Sequence, residues 1–350
     1  MKNDRLLRAI WQKPLDTTPI WIMRQAGRYL PEYRAVREQA GSFINLCKTP
    51  ELACEVSLQP LRRYDLDAAI IFSDILTIPD AMGLGLEFVE GSGPVFAYPL
   101  QQEHDISRLA LPDPEKLKYV YDAIALVRHE LAGKLPLIGF CGSPFTLAAY
   151  MIEGQSRNGF PKLIQLLNQS PLLLHKLLEV LAEAVCAHLN AQIEAGVSVA
   201  MLFDTWGGML DTKNYEEFSL HYIRRIREGL AGNYNNEKIP LILFTKGGSK
   251  WLSRMSEVCD AAGVDWEISL GVAREQVSRK IALQGNMNPA CLLLQPELIE
   301  QEVRRILTSY GQGSGHIFNL GHGITPDVPP DHVKVLVDAV HEIGREFHAD

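Results

Sequence analysis

The stretch Pro19–Ile20–Trp21–Ile22–Met23–Arg24–Gln25–Ala26–Gly27–Arg28–Tyr29–Leu30–Pro31–Glu32–Tyr33–Arg34 begins as a short apolar run and turns at once into a cluster of arginines. Residues 20–23, bounded by Pro19, have the length and character of a buried strand. Four arginines then fall within fourteen residues, Arg24, Arg28, Arg34 and Arg37, broken by Gly27 and Pro31. A guanidinium grips carboxylate or phosphate bidentately and stays charged, so a strand end facing an anion accounts for the cluster. A solvated loop whose arginines pair with Glu32 and Glu38 accounts for it equally well from charge pattern alone. Gly27 and Pro31 favour a shaped loop, with Gly27 a candidate for positive φ.

The same unit, apolar run into polar turn into helix, recurs along the chain. Strands are expected at 20–23, 68–73, 135–140, 199–203, 241–245, 266–269, 282–284 and 317–320. Helices are expected between them, including 50–63, 113–132, 171–196, 215–230, 250–262, 273–280, 296–310 and 332–347. Eight short strands alternating with helices predict a single (β/α)8 TIM barrel. That domain would span 1–350, with a short N-terminal helix at 1–11 and an inserted hairpin near 86–98 that turns through residues 90–94. Arg24, Asp74, the Gly142–Ser143–Pro144 turn, Asp204, Thr245, Asn286 and His322 all follow the carboxyl ends of strands. In a barrel those ends share one mouth, where the active site is expected. Helix capping could explain Asp204 or Asn286, but not an arginine cluster, an aspartate and a histidine together.

Composition sets further bounds. The chain has 350 residues, 47% hydrophobic and 22% charged, with a net charge of −8. That sign argues against a nucleic-acid partner, so an anion site must be a local concentration of arginine. No basic-then-apolar leader opens the chain, and no apolar span reaches membrane length, so a cytoplasmic protein without membrane insertion is expected. The six cysteines lack CxxC spacing and read as reduced thiols, not zinc ligands.

Two motifs carry a resemblance: PIWIMRQAGR (residues 19–28, extended by YLPEYR) and GFCGSPFTLAAYMIEG (residues 139–154). Further agreement lies in LQPLRRYDLDAAIIFSDIL at 58–76, GNMNP at 285–289 and NLGHGI at 319–324. The chain resembles the uroporphyrinogen decarboxylase family from its first strand to its last. The resemblance implies removal of carbon dioxide from the four acetates of uroporphyrinogen III to give coproporphyrinogen III, in haem and chlorophyll biosynthesis. It also implies no metal or other cofactor and a homodimer. Arg24, Arg28 and Arg37 are the implied carboxylate binders on a substrate with eight carboxylates. Asp74, Tyr150, Thr205 and His322 match family active-site positions, with Phe203 and Phe140 as apolar walls.

Such a site must work unaided. Protonating a pyrrole carbon makes a cationic, imine-like ring that accepts the electron pair left by decarboxylation. Asp74, acceptor-only when ionised, can face the pyrrole N–H groups and stabilise that cation. A unit charge pair at ~4 Å gains ~1 kcal/mol in water but ~4 at an effective dielectric near 20, so a water-poor mouth strengthens the effect. From barrel order, Asp74 is expected opposite the arginine loop. For proton delivery the resemblance favours Arg24, but a guanidinium is a reluctant acid, and Tyr150 and His322 are the titratable alternatives. Two rivals are a zinc-dependent methyltransferase on the same barrel and a non-catalytic tetrapyrrole binder. The first would carry a His-x-Cys pair, which occurs nowhere in the chain, and the second would be expected to lack Asp74.

Overall fold

The computed structural model describes residues 1–89, 91, 93–156, 159–234 and 237–348. Helix α1 (Arg5–Ile10) is followed by α2 (Pro31–Gln39), α3 (Phe43–Lys48) and α4 (Pro50–Arg63), and then by strand β1 (Ala69–Ile70). A hairpin of Leu86–Val89 and Gly93–Phe96 follows, whose turn residues 90 and 92 lie outside the described residues. Next come α5 (Lys118–Leu131), β2 (Leu137–Gly142), α6 (Pro144–Glu153), α7 (Pro171–Ala195) and β3 (Val199–Phe203). The remaining strands are β4 (Leu241–Phe244), β5 (Ala261–Gly263), β6 (Ala282–Met287) and β7 (His316–Leu320), with α8 (Pro330–Gly344) near the end.

These seven strands form one parallel sheet in which each pairs with its neighbour in sequence, from β1 through β7. Between its two edges runs the segment of Ile20. Ile20 bridges Phe318 of β7 in parallel, and its carbonyl accepts from the Asp67 N–H just before β1 at 2.8 Å. Residues two apart point to the same face of a strand. Trp21, Met23, Ile70, Ile138, Met201, Ile242, Phe244 and Ile317 accordingly meet in one buried cluster, into which Leu6, Leu7 and Ile10 of α1 pack.

Several boundaries differ from those read in the sequence. The strand expected at 266–269 is a turn with Trp266 exposed, and the sixth strand is Ala261–Gly263 instead. The helix expected at 250–262 ends at Met255. Small residues occupy β5 because a Cβ at Gly263 would lie 2.8 Å from the Phe244 ring. The expected first strand contributes a single bridge, and α2 starts inside the stretch read as an arginine loop, with Pro31 at its first turn.

Candidate active site

The arginine segment is held by core contacts. Gln25, fully buried, accepts from the Ile22 N–H at 3.1 Å and donates to the Ala68 carbonyl at 3.1 Å. Asn319 of β7 accepts from the Met23 N–H at 2.9 Å, and Ile324 N–H donates to the Met23 carbonyl at 3.0 Å. Arg24, next in line, adopts the left-handed region with φ 66°. That conformation costs a non-glycine residue about 1–2 kcal/mol, which the surrounding contacts must offset, and it aims the side chain at the mouth. Positive φ thus falls on Arg24 and not on Gly27. Gly27 is required for close approach instead, since a Cβ there would sit 2.7 Å from the Arg24 carbonyl oxygen. Gly323 does the same from β7's loop: its Cβ would lie 2.4 Å from Arg24 Cδ.

The arginines do not pair with Glu32 and Glu38. Glu32 binds Arg63 at 2.9 Å, and among the described residues no ion pair engages Arg24, Arg28 or Arg37. Arg24 and Arg28 are exposed, and Arg37 is half-buried on α2. Arg28 and Arg37 face the Tyr33 phenol, one step out from Arg24.

Asp74 lies beyond β1, which neighbours the Ile20 segment, so it stands beside Arg24 and not opposite it. Its Oδ1 accepts from the Leu76 N–H at 2.8 Å. Burial pushes its carboxyl up to about 6, against the pull of the Leu76 N–H and the Arg24 charge. By surface exposure Asp74 is only half-buried, which fits a carboxylate deep in a cleft that solvent still reaches. Tyr150, on α6, is buried against Phe160 and Trp206, with ring centroids 6.1 Å away in each case. Burial and the Asp74 charge push its phenol up, while Trp206, Ser156 and Arg24 oppose them.

On the other side, Phe140, Phe203, Phe244 and His322 make a continuous wall of edge-on rings, with centroid separations of 5.4, 6.3 and 6.1 Å. His322 is pushed down to about 4 by burial, then by the charges of Arg24 and Lys246, so its imidazole is neutral near pH 7. Thr205 follows β3 half-buried, two residues beyond Phe203. Arg24, Asp74, Tyr150 and His322 therefore share one electrostatic neighbourhood, with Arg24 at its centre.

Asp204 holds this rim together. Fully buried, it accepts from Ser219 Oγ at 2.9 Å, Thr245 Oγ1 at 3.1 Å and Ser143 Oγ at 2.5 Å. Burial pushes its carboxyl up, and those hydroxyls oppose the shift. Ser143 also caps α6 by accepting from Thr146 N–H at 3.1 Å, so the Gly142–Ser143–Pro144 turn anchors the helix that carries Tyr150. Asn286 donates to the carbonyls of Asp265 and Ile268 at 2.8 and 2.6 Å, which organises a loop. Lys246, whose charge also bears on His322, is not among the candidate residues read from the sequence. No spacing signal marks it, since it lies in the turn two residues past the end of β4.

A barrel-type parallel sheet with guanidiniums unpaired among the described residues, the raised carboxyls of Asp74 and Asp204 and an aromatic wall at its strand ends defines an enzyme site suited to an anionic substrate. The family model for uroporphyrinogen decarboxylase (URO-D) matches residues 1–343. A uroporphyrinogen decarboxylase of Nitrosococcus oceani is 57% identical over 350 residues, covering 99% of this chain and 98% of that protein. One of Neisseria meningitidis is 56% identical over 349 residues, covering 99% of each. Among solved structures, a methyltransferase from Methanosarcina mazei superposes with a TM-score of 0.80 at 21% identity, covering 97% of this chain and 98% of that one. At that identity the likeness concerns the fold alone. The chain belongs to the uroporphyrinogen decarboxylase family.

Proposed function

We propose that the protein decarboxylates the four acetate side chains of uroporphyrinogen III, giving coproporphyrinogen III. Full-length identity above half to named uroporphyrinogen decarboxylases carries this reading. The neighbourhood of Arg24, Asp74, Tyr150 and His322 supports it chemically. The Ile20 segment, bonded to both sheet edges, is read as the eighth strand of a closed (β/α)8 barrel. Residues 1–350 are read as one domain, acting as a cytoplasmic homodimer.

In this mechanism Arg24, Arg28 and Arg37 hold substrate carboxylates, and Thr205 offers a hydroxyl at the rim. Asp74, ionised above about pH 6, accepts from the pyrrole N–H groups. Protonation of a ring carbon makes the pyrrole cationic, and the Asp74 charge stabilises it. The acetate C–C bond breaks, carbon dioxide leaves, and the electron pair enters the ring. The exocyclic methylene then takes a proton and the ring carbon loses one, so each cycle consumes one proton. The ring is its own electron sink, so the chemistry calls for no cofactor. Phe140 and Phe203 exclude water from the reacting edge.

Anaerobic incubation with uroporphyrinogen, followed by chromatographic counting of product carboxylates, tests the proposal. Conversion from eight carboxylates to four is expected. An unchanged eight-carboxylate substrate would overturn it.

A further inference from the structure

Arg24 holds a φ of 66° without being a glycine, so its conformation is imposed by contacts from outside its own segment. Those contacts come from one stretch at the end of β7. The Met23 N–H donates to Asn319 Oδ1 at 2.9 Å, and the Met23 carbonyl accepts from the Ile324 N–H at 3.0 Å. The bare Cα of Gly323 lies against the Arg24 side chain. Ile324 acts through its backbone and Gly323 through its lack of a side chain. Asn319 is the member of this grip that works through a functional group.

Asn319 is 1% exposed at the end of β7. Its Oδ1 also accepts from the Leu320 N–H at 2.8 Å. Both partners are N–H donors, so the oxygen end of the carboxamide must face them. Nδ2 is buried and makes no hydrogen bond among the described residues. An unmet buried donor is costly, so the residue is not explained by its N–H groups. Its oxygen is what the fold uses. We propose that Asn319 is a positioning residue of the mouth: its carboxamide oxygen fixes the Met23 backbone and so holds Arg24 in the left-handed conformation that presents the guanidinium to a substrate carboxylate. This rests on the decarboxylase reading, in which Arg24 binds the porphyrinogen. Without the Met23–Asn319 bond the φ of Arg24 returns to the ordinary negative range. Rotation about its N–Cα bond then carries Cβ, and the guanidinium with it, away from the mouth. The effect of Asn319 on the substrate passes through Arg24.

Coproporphyrinogen binding to full-length protein, measured by anaerobic equilibrium dialysis, tests this in a double-mutant cycle. Asn319→Ala should weaken binding roughly tenfold in otherwise wild-type protein, and less than about twofold when Arg24 is already Ala. Asn319→Asp keeps an oxygen for both N–H groups and should bind more tightly than Asn319→Ala. Hydrogen exchange at the Met23 amide needs no ligand: it should be slow in wild type and fast in Asn319→Ala. If the alanine variant does not fold, Asn319→Ser takes its place in both measurements, since its hydroxyl is one bond too short for the Met23 N–H. An equal loss of affinity in both backgrounds makes Asn319 a general structural residue and overturns the proposal. So does a loss that persists in Arg24→Ala and disappears in His322→Ala, or a Met23 amide that stays protected. Wild-type protein that binds no coproporphyrinogen removes the decarboxylase reading and the carboxylate role drawn from it. Met23 exchange tells that failure from a failure of the Asn319 contact.

Discussion

In the proposed mechanism the chemistry turns on the Asp74 carboxyl, where burial is opposed by the Leu76 N–H and the Arg24 charge. Its raised pKa of about 6 means that the ionised form is lost as pH falls through that value. For a reaction that needs the carboxylate, kcat/KM should fall about tenfold per pH unit below 6 and level off above it. Asp74→Asn keeps one acceptor and the shape but removes the charge, so turnover should drop roughly a hundredfold or more, with product affinity changed only slightly. The acid limb should vanish in that variant, and Asp74→Glu should retain more activity than Asn. Turnover and product binding in folded variants decide this, and wild-type turnover in Asp74→Asn would reduce Asp74 to a loop cap for Leu76. Arg28 is exposed and has no ion pair among the described residues, so Arg28→Ala should weaken coproporphyrinogen binding roughly fivefold and flatten its salt dependence. Equal affinity at low and high salt in both proteins would remove Arg28 from the clamp.

The mouth is assembled by segments that no local rule would join. The loop after β7 packs the bare Cα of Gly323 onto the Arg24 side chain, and the Met23 backbone is bonded to Asn319 and Ile324 of the same region. Gly323→Ala would place a methyl 2.4 Å from Arg24 Cδ and push the guanidinium off its position. The expected outcome is a loss in kcat/KM of roughly tenfold with a change in unfolding free energy under about 1 kcal/mol. Steady-state kinetics with urea unfolding checks both, and full activity would show that Arg24 reaches the substrate from a second rotamer. The Asp204 cluster works on the same scale, tying Ser143 after β2 and Thr245 after β4, together with Ser219 of the helical stretch Glu216–Leu220, to the residue that follows β3.

Across the whole molecule, the seam between the two ends of the sheet rests on Asp67. Buried before β1, its carboxylate accepts from Asn3 and from the Ile20 N–H at 2.8 Å each, from Arg5 at 3.2 Å and from His341 of α8 at 2.8 Å. The two termini and the first β segment thus meet at one charge. Asp67→Ala leaves Arg5 and His341 facing a buried gap and should cost about 3–5 kcal/mol in urea unfolding. Since the seam lies away from the mouth, folded variant should bind coproporphyrinogen with wild-type affinity. An unchanged unfolding midpoint would show that the seam is held by α1 packing instead.

The alternation of apolar runs and helices, the polar residues at strand ends and the arginine cluster were all legible along the chain, because period and spacing are local properties. So were the motif residues Arg24, Asp74, Tyr150 and His322, through their family context. What tertiary structure alone decided was which loops meet. Ala261–Ala262–Gly263 carries no strand signal, since its small side chains answer to the Phe244 ring across the sheet. Asp74 stands beside Arg24 because the Ile20 segment runs next to β1, a pairing made over more than forty residues. Lys246 carries no signal along the chain, and only the fold lets its charge bear on His322. Hydrophobic periodicity reports which face a residue takes, whereas the field at a site is a sum over groups that only the closed chain brings together.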